Sequence, residues 1–159
     1  MEEYEYSFKV KSIKPYIEYC EKHKYELEDI TKQNRIVYEN RYSEDIIARI
    51  TTAVKHGKKT CVFDCKNVGK RDESLKISSE SLEMKVTKGN REQIESILNV
   101  LNFYEAANNN RKRYIYKKNG VKFEIDDYTS PVVCVIGIEG ERNKVDKVYE
   151  ELKDIDDAL

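Results

Sequence analysis

The sequence predicts an α+β domain in which antiparallel strands carry helices on one side. Three observations predict it. Several strand-length segments alternate apolar with ionisable side chains, which is the period of a half-buried strand. Three segments carry apolar residues at helical spacing and need an apolar surface to cover. The second half of the chain also repeats the order of elements seen in the first. Residues 1–159 are read as a single domain, long enough to bury a core.

In chain order, segment 3–11 places Glu3, Glu5, Ser7 and Lys9 on one face and Tyr4, Tyr6, Phe8 and Val10 on the other. A helix follows Ser12, with Pro15 in its first turn and Tyr16, Ile17 and Cys20 sharing a face. Residues 35–49 read as strand material. Segment 79–86 sets Ser79, Ser81, Glu83 and Lys85 opposite Leu82, Met84 and Val86. Asn90 is placed to cap a second helix carrying Ile94, Ile97, Leu98 and Leu101. Segment 111–117 groups Arg111, Arg113 and Lys117, and Asn119-Gly120 is a strong hairpin signal. Beyond that turn, Val121, Phe123 and Ile125 oppose Lys122, Glu124 and Asp126. In segment 132–141, Gly137, Glu139 and Glu141 oppose Ile136 and Ile138. Asn143 is placed to cap a third helix with Val145, Val148, Tyr149 and Leu152 on one face, and the acidic tail from Asp154 is expected to fray. Phe8-Lys9-Val10 and Met84-Lys85-Val86 each precede a helix and then a strand-rich stretch, so the repeat reads as strand–helix–hairpin–strand.

The composition narrows the function. Twenty-nine basic against 30 acidic residues give a net charge of −1, which argues against general nucleic-acid binding. Charged residues make up 37% of the chain, against an ordinary share of about 25%, so the surplus lies on solvated faces or in a polar cavity. No apolar run approaches the length of a membrane span, and the N-terminus lacks the apolar core of a signal peptide; the expectation is a soluble, cytoplasmic protein. The four cysteines show no C-x-x-C spacing and read as reduced thiols, and His23 and His56 sit in no motif.

If the apolar strand faces meet the helices, the ionisable faces point the other way. On an open sheet those charges meet water; on a sheet curled shut they line a channel of both signs. Acids in such a channel would suit divalent cations, and arginines would suit phosphate oxygens. The order of the motifs favours the channel. Glu3-Tyr4-Glu5-Tyr6-Ser7-Phe8-Lys9 resembles an E-x-E-x-K strand, Ile47-Ala48-Arg49-Ile50 an R-x-R strand, and Phe63-Asp64-Cys65-Lys66 a strand ending in a phosphate-binding lysine. Arg111-Lys112-Arg113-Tyr114-Ile115-Tyr116 resembles K-x-R-x-x-Y, Phe123-Glu124-Ile125-Asp126 a strand with an inward carboxylate, and Gly137-Ile138-Glu139-Gly140-Glu141 a closing E-x-E. In this order the chain resembles the CYTH, or triphosphate tunnel metalloenzyme, superfamily over residues 3–152.

The resemblance implies an eight-stranded antiparallel β-barrel, a triphosphate tunnel with helices packed outside. It implies a phosphohydrolase that uses Mg²⁺ or Mn²⁺ on inorganic triphosphate or on an organic or nucleoside triphosphate, with a class IV adenylyl cyclase-like activity as an alternative. The partner would be a triphosphate-bearing small molecule, an RNA 5′-triphosphate end being the one nucleic acid in question, and a homodimer is open. Glu3, Glu5, Asp126, Glu139 and Glu141 would hold metal; Lys9, Arg49, Lys66, Lys85, Arg111 and Arg113 would hold phosphate. Four positions depart from the pattern. Ser7, Thr51 and Ser79 stand where cations are expected, and Gly137 stands where a glutamate is expected. Lys9 and Lys85 lie one inward position along from Ser7 and Glu83 and could compensate. The departures also admit a third reading, a degenerate tunnel that binds a polyphosphate or nucleotide without cleaving it.

Overall fold

The computed structural model describes residues 2–68, 70–72, 75–79 and 82–156. The strands are β1 (Glu2–Val10), β2 (Glu26–Asn40), β3 (Ile46–Lys55), β4 (Lys58–Asn67), β5 (Lys70–Asp72), β6 (Leu75–Ser79), β7 (Leu82–Lys85), β8 (Phe103–Lys118), β9 (Val121–Ser130) and β10 (Val132–Gly140). The helices are α1 (Lys14–Lys22), α2 (Arg91–Val100) and α3 (Arg142–Asp156). The predicted α+β class is what the structure has. No helix among the described residues is long and apolar enough to cross a membrane.

All pairings are antiparallel, and the strands form one sheet in the order β5-β6-β1-β10-β9-β8-β2-β3-β4-β7. This corrects the expected eight-stranded barrel in two respects: ten strands are present, and no continuous hydrogen-bonded ladder closes the ring among the described residues. The sheet is nevertheless strongly curled. β6 pairs with β1 near one end of the order, and β7 pairs with β4 at the other end. Ser79 and Leu82 end and begin these two strands and are three residues apart, so their Cα atoms lie within about 11 Å of each other. The segment expected as one strand over 79–86 is thus two short pieces that bring the sheet's margins together, while Glu80 and Ser81 lie outside the described residues.

The repeat is present as topology. β1-α1-β2-β3-β4 and β7-α2-β8-β9-β10 have the same order of elements. The long strands β2 and β8 meet at the centre of the sheet, and each half's opening strand pairs with the other half's closing strand: β1 with β10, and β7 with β4.

The alternation sets which face each helix covers. Tyr6 and Phe8 of β1 turn outward onto Tyr149 and Tyr16. There α1 and α3 bury Tyr16, Cys20, Val145 and Leu152 against Phe123, Ile125, Ile136 and Ile138. A second, smaller core joins Ile94 and Leu98 of α2 to Ala48, Ile50 and Val86. Ile97 and Leu101, expected on the buried face of α2, are instead more than half exposed, and Ile94 and Leu98 alone carry the helix's contact with this core.

Two caps differ from expectation. Asn90 occupies the N-cap of α2, but its side chain turns back: Oδ1 accepts from the Thr87 amide and Nδ2 donates to the Lys85 carbonyl. Helix α3 begins one residue before Asn143, with the Glu141 carbonyl accepting from the amides of Lys144 and Val145.

At the hairpin the sequence singled out, Asn119 and Gly120 both have positive φ, 48° and 78°, as a tight two-residue turn requires. Gly140, at φ 155°, packs beside that turn, and a Cβ placed on it would stand 2.5 Å from the Gly120 carbonyl oxygen. Both atoms belong to backbone, so neither can swing aside. Gly140→Ala should cost about 2–4 kcal/mol, seen as a lower urea midpoint with an unchanged slope; a change under about 0.5 kcal/mol would show that the turn yields.

Candidate functional site: a charged tunnel

The inner faces of the curled sheet converge on one polar cavity. It is lined by Glu3 and Glu5 of β1, Arg35 of β2, Arg49 of β3, Asp64 and Lys66 of β4, Glu83 of β7, Arg113 of β8, Lys122 and Glu124 of β9, and Glu139 of β10. Its volume is about 350 Å³. It continues into a second cavity of about 260 Å³ bounded by Ser7, Arg111, Asp126, Tyr128 and Gly137, with Glu5, Arg35, Arg49, Lys66, Arg113 and Glu124 common to both. Eight strands contribute to the first cavity, so the charged faces line one lumen on the concave side of a sheet that is curled but not closed.

Both signs of charge line this lumen. Acids of β1, β9 and β10 cluster together. Single ligand oxygens of Glu5, Glu124 and Glu139 lie within 4.8 Å of one another. Three carboxylates this close repel, and the protein manages the repulsion in two ways. Burial holds the Glu139 carboxyl well above its usual range, reinforced by the charge of Glu124 and a hydrogen bond between the two. Burial also opposes ionisation of Glu124, but Arg113, the bond from Glu139, and Lys122 outweigh it and hold Glu124 below the usual range. Of the two, Glu139 holds a proton more readily and Glu124 ionises more readily. Lys122 Nζ sits 3.6 Å from Glu139 and 3.8 Å from Glu124. Gly137 makes room for the third member, because a Cβ there would stand 3.2 Å from Glu5 Oε1. The missing glutamate at position 137 is thus offset by Glu124 across the sheet, a residue not among the sequence-derived ligands. Its alternation with Lys122 and Asp126 on one strand face was the available signal.

The basic part of the lining adjoins them and is built from arginines held by acids. Arg49 makes a two-point pair with Asp64, Nε at 3.0 Å from Oδ1 and Nη2 on Oδ2. Arg113 donates from Nε and Nη2 to both oxygens of Asp126, at 2.7 and 2.9 Å, and from Nη1 to Glu124. Burial disfavours the Arg113 charge, but Glu124 and Asp126 more than offset this and fix the guanidinium as a cation. Arg111 donates to Gln33 Oε1 from Nε and Nη2 and to the Tyr128 hydroxyl from Nη1, with Asp126 3.5 Å away. Such planar, multiply bonded guanidinium groups lose little entropy when they grip a further anion.

Of the residues the sequence proposed, the structure brings Glu3, Glu5, Glu139, Arg49, Lys66, Arg111 and Arg113 to the tunnel. Four others stand differently. Asp126 lines the tunnel with both oxygens engaged by arginines, and it lies outside the Glu5, Glu124 and Glu139 cluster. Glu141 lies outside, 70% exposed and paired with Lys144, because β10 ends at Gly140 and the alternation stops there. Lys9 is exposed and lines neither tunnel cavity. Lys85 is also exposed and faces a separate outer groove with Met84 and Lys88. The Ser79 side chain lies outside the described residues. Besides Glu124, sequence reasoning missed Asp64, Lys122, Glu83 and Arg35.

Neither a protein-family model nor a curated protein matches the sequence. Solved structures do. The PH1012 protein of Pyrococcus horikoshii superposes with a TM-score of 0.71 at 18% identity, over 96% of this chain and 87% of that one. HpAC1 of Hippeastrum, described as an adenylyl cyclase candidate with a dominant triphosphatase activity, superposes at 0.65 and 14% identity over the same shares, 96% and 87%. The chain shares its fold with these structures, as the CYTH resemblance implied. A chain of the Schizosaccharomyces pombe Mediator head module also superposes, at 0.67 and 10% identity, over 96% and 95%. At these identities the likeness is one of fold, and a CYTH fold alone does not assign chemistry.

Proposed function

We propose that this chain binds a polyphosphate chain in its tunnel and hydrolyses it with the help of Mg²⁺ or Mn²⁺, taking inorganic triphosphate or an organic or nucleoside triphosphate as substrate. The observation that carries this reading is one cavity system in which a carboxylate cluster of Glu5, Glu124 and Glu139 adjoins Arg49, Arg111 and Arg113, with Arg113 bonded to Glu124. A polyphosphate with a divalent cation on one flank likewise carries both signs of charge side by side. An all-carboxylate donor set suits small hard cations, and three oxygens within 4.8 Å are spaced to meet at one ion.

In this reading Glu5, Glu124 and Glu139 hold the metal, with Glu3 further along the same strand. When bound, the metal would polarise phosphoryl oxygens and favour a hydroxide nucleophile. The chain's own residues do the positioning. Arg49, Arg111 and Arg113 hold non-bridging oxygens, and Asp64 and Asp126 keep those guanidinium groups rigid, so that the phosphorus is presented in line for attack. A cation held there would favour the ionised form of Glu139, whose carboxyl otherwise holds its proton above the usual range, so binding of the metal would release a proton.

The second reading is a tunnel that binds without cleaving. It is favoured by the internal engagement of Arg49, Arg111 and Arg113, which leaves few free donors to follow a transition state. Purified protein incubated with tripolyphosphate, thiamine triphosphate and ATP plus Mg²⁺ or Mn²⁺ should release orthophosphate from at least one. Cyclic AMP without orthophosphate would indicate cyclisation. Ligand-dependent thermal stabilisation without turnover would select the binding reading. Folded protein that neither turns over nor is stabilised would end both.

A further inference from the structure

Three arginines of the lining are tied to carboxylates; a fourth is not. Arg35 lies on β2, in register with Thr51 on β3 and Asn109 on β8, and it lines both tunnel cavities. Its Nε donates to Thr51 Oγ1 at 3.0 Å. Its terminal nitrogens make no hydrogen bond or ion pair with any described residue. Its charged neighbours make matters worse. Burial depresses the proton affinity of the guanidinium, followed by repulsion from Arg111, Arg49 and Arg113, with only Glu124 acting the other way. Arg35 is still a cation at neutral pH. A cation held among cations, partly shielded from water and without an acid of its own, destabilises the protein that carries it. Glu124 offsets only part of this and makes no ion pair with Arg35, so an anion from outside is the natural counterion.

The position adds a second reason. Thr51 stands where the resemblance expects an arginine, and Arg35 reaches that place from the neighbouring strand. We propose that Arg35 is the tunnel's open anion receptor: it takes a non-bridging oxygen of a polyphosphate chain and substitutes for the arginine that position 51 lacks. The proposal rests on the reading of the tunnel as a polyphosphate site and adds a specific residue to it. Lys66 is the other lumen cation without an ion pair among the described residues, so the two together provide the charge that the tied arginines do not. Arg35 acts in binding; no bond is made or broken at it.

The test is a titration of inorganic tripolyphosphate, with and without Mn²⁺, into wild type, Arg35→Gln, and the exchanged variant Arg35→Thr/Thr51→Arg. Residues in register on adjacent strands have Cβ atoms about 4.5–5.5 Å apart, so an arginine at 51 can deliver its guanidinium to the same part of the lumen. Loss of one charge-assisted contact should weaken tripolyphosphate binding in Arg35→Gln by about 10- to 100-fold. The exchanged variant should recover most of that loss. A melting curve without ligand separates binding from structure. Relief of an unpaired cation should leave the Arg35→Gln melting temperature unchanged or raise it by a few degrees, roughly 2–4 °C. Wild type that binds, with Arg35→Gln binding equally well, overturns the proposal and leaves the tunnel reading standing. Weaker binding with a lower melting temperature, not recovered by the exchange, assigns Arg35 a structural role and also overturns it. Wild type that does not bind tripolyphosphate overturns both.

Discussion

Replacing Asp126 with alanine should remove about 3–5 kcal/mol of folding stability, the largest loss expected for any tunnel residue. Asp126 is 4% exposed and is the shared counterion of two arginines, one at 2.7 and 2.9 Å and the other at 3.5 Å. Removing it leaves the Arg111 and Arg113 side chains, 3% and 12% exposed, side by side on one face of β8, with Glu124 as the remaining carboxylate paired to them among the described residues. An uncompensated buried cation costs several kcal/mol, and here two share the deficit. The check is a urea unfolding curve, supplemented by Asp126→Ala combined with Arg113→Met. If the cost is electrostatic, removing the second charge should recover part of the stability, and the two substitutions should be strongly non-additive. A single-mutant loss under about 1 kcal/mol would mean that tunnel water solvates both arginines, and the lumen would then be wetter and less rigid than the hydrogen bonds imply.

The second large effect is on activity. Glu5→Ala should lower metal-dependent phosphate release by about 10- to 100-fold or more at a fixed Mn²⁺ concentration, with part of the loss recovered at higher Mn²⁺. Glu5 is the cleanest member of the acidic cluster to remove. Glu124 also holds Arg113 and Glu139 also pairs with Lys122, so their loss would confound stability with function. Glu5 contributes to the repulsion that raises Glu139. Its removal should therefore leave the metal-free protein at least as stable as wild type, while the rise in melting temperature on adding Mn²⁺ shrinks or disappears. Lower activity accompanied by an unchanged Mn²⁺-induced rise would show that Glu5 does not hold metal.

These two residues also show how legible the site was. Glu5 was readable because an E-x-E strand with alternating tyrosines leaves one side for the acids, and the strand is short and regular. Asp126 reads from the sequence as a metal ligand, and the structure sets it in the lumen against Arg111 and Arg113. Alternation says which face a side chain occupies and nothing about what stands opposite. Asp126 lies in register with Arg113 across the β8–β9 ladder, a pairing set by the turn at Asn119-Gly120. Glu141 failed for the opposite reason: a period of two was carried one residue too far, past the glycine where the strand stops. Arg35 was passed over because a lone arginine in a polar stretch looks like any solvated charge.

The sequence by itself determined the class of fold, the three helices, the hairpin at Asn119-Gly120, and the separation of an apolar face from an ionic face on most strands, because these follow from local periodicity and turn geometry. Only the tertiary structure decided that the sheet curls, that its margins meet through two broken strand pieces, and which acid neutralises which base. Those outcomes depend on pairings between distant strands, such as β1 with β10 and β2 with β8. The energy of a charge is set by whatever lies a few ångströms away in space, and neighbours in the chain do not report it.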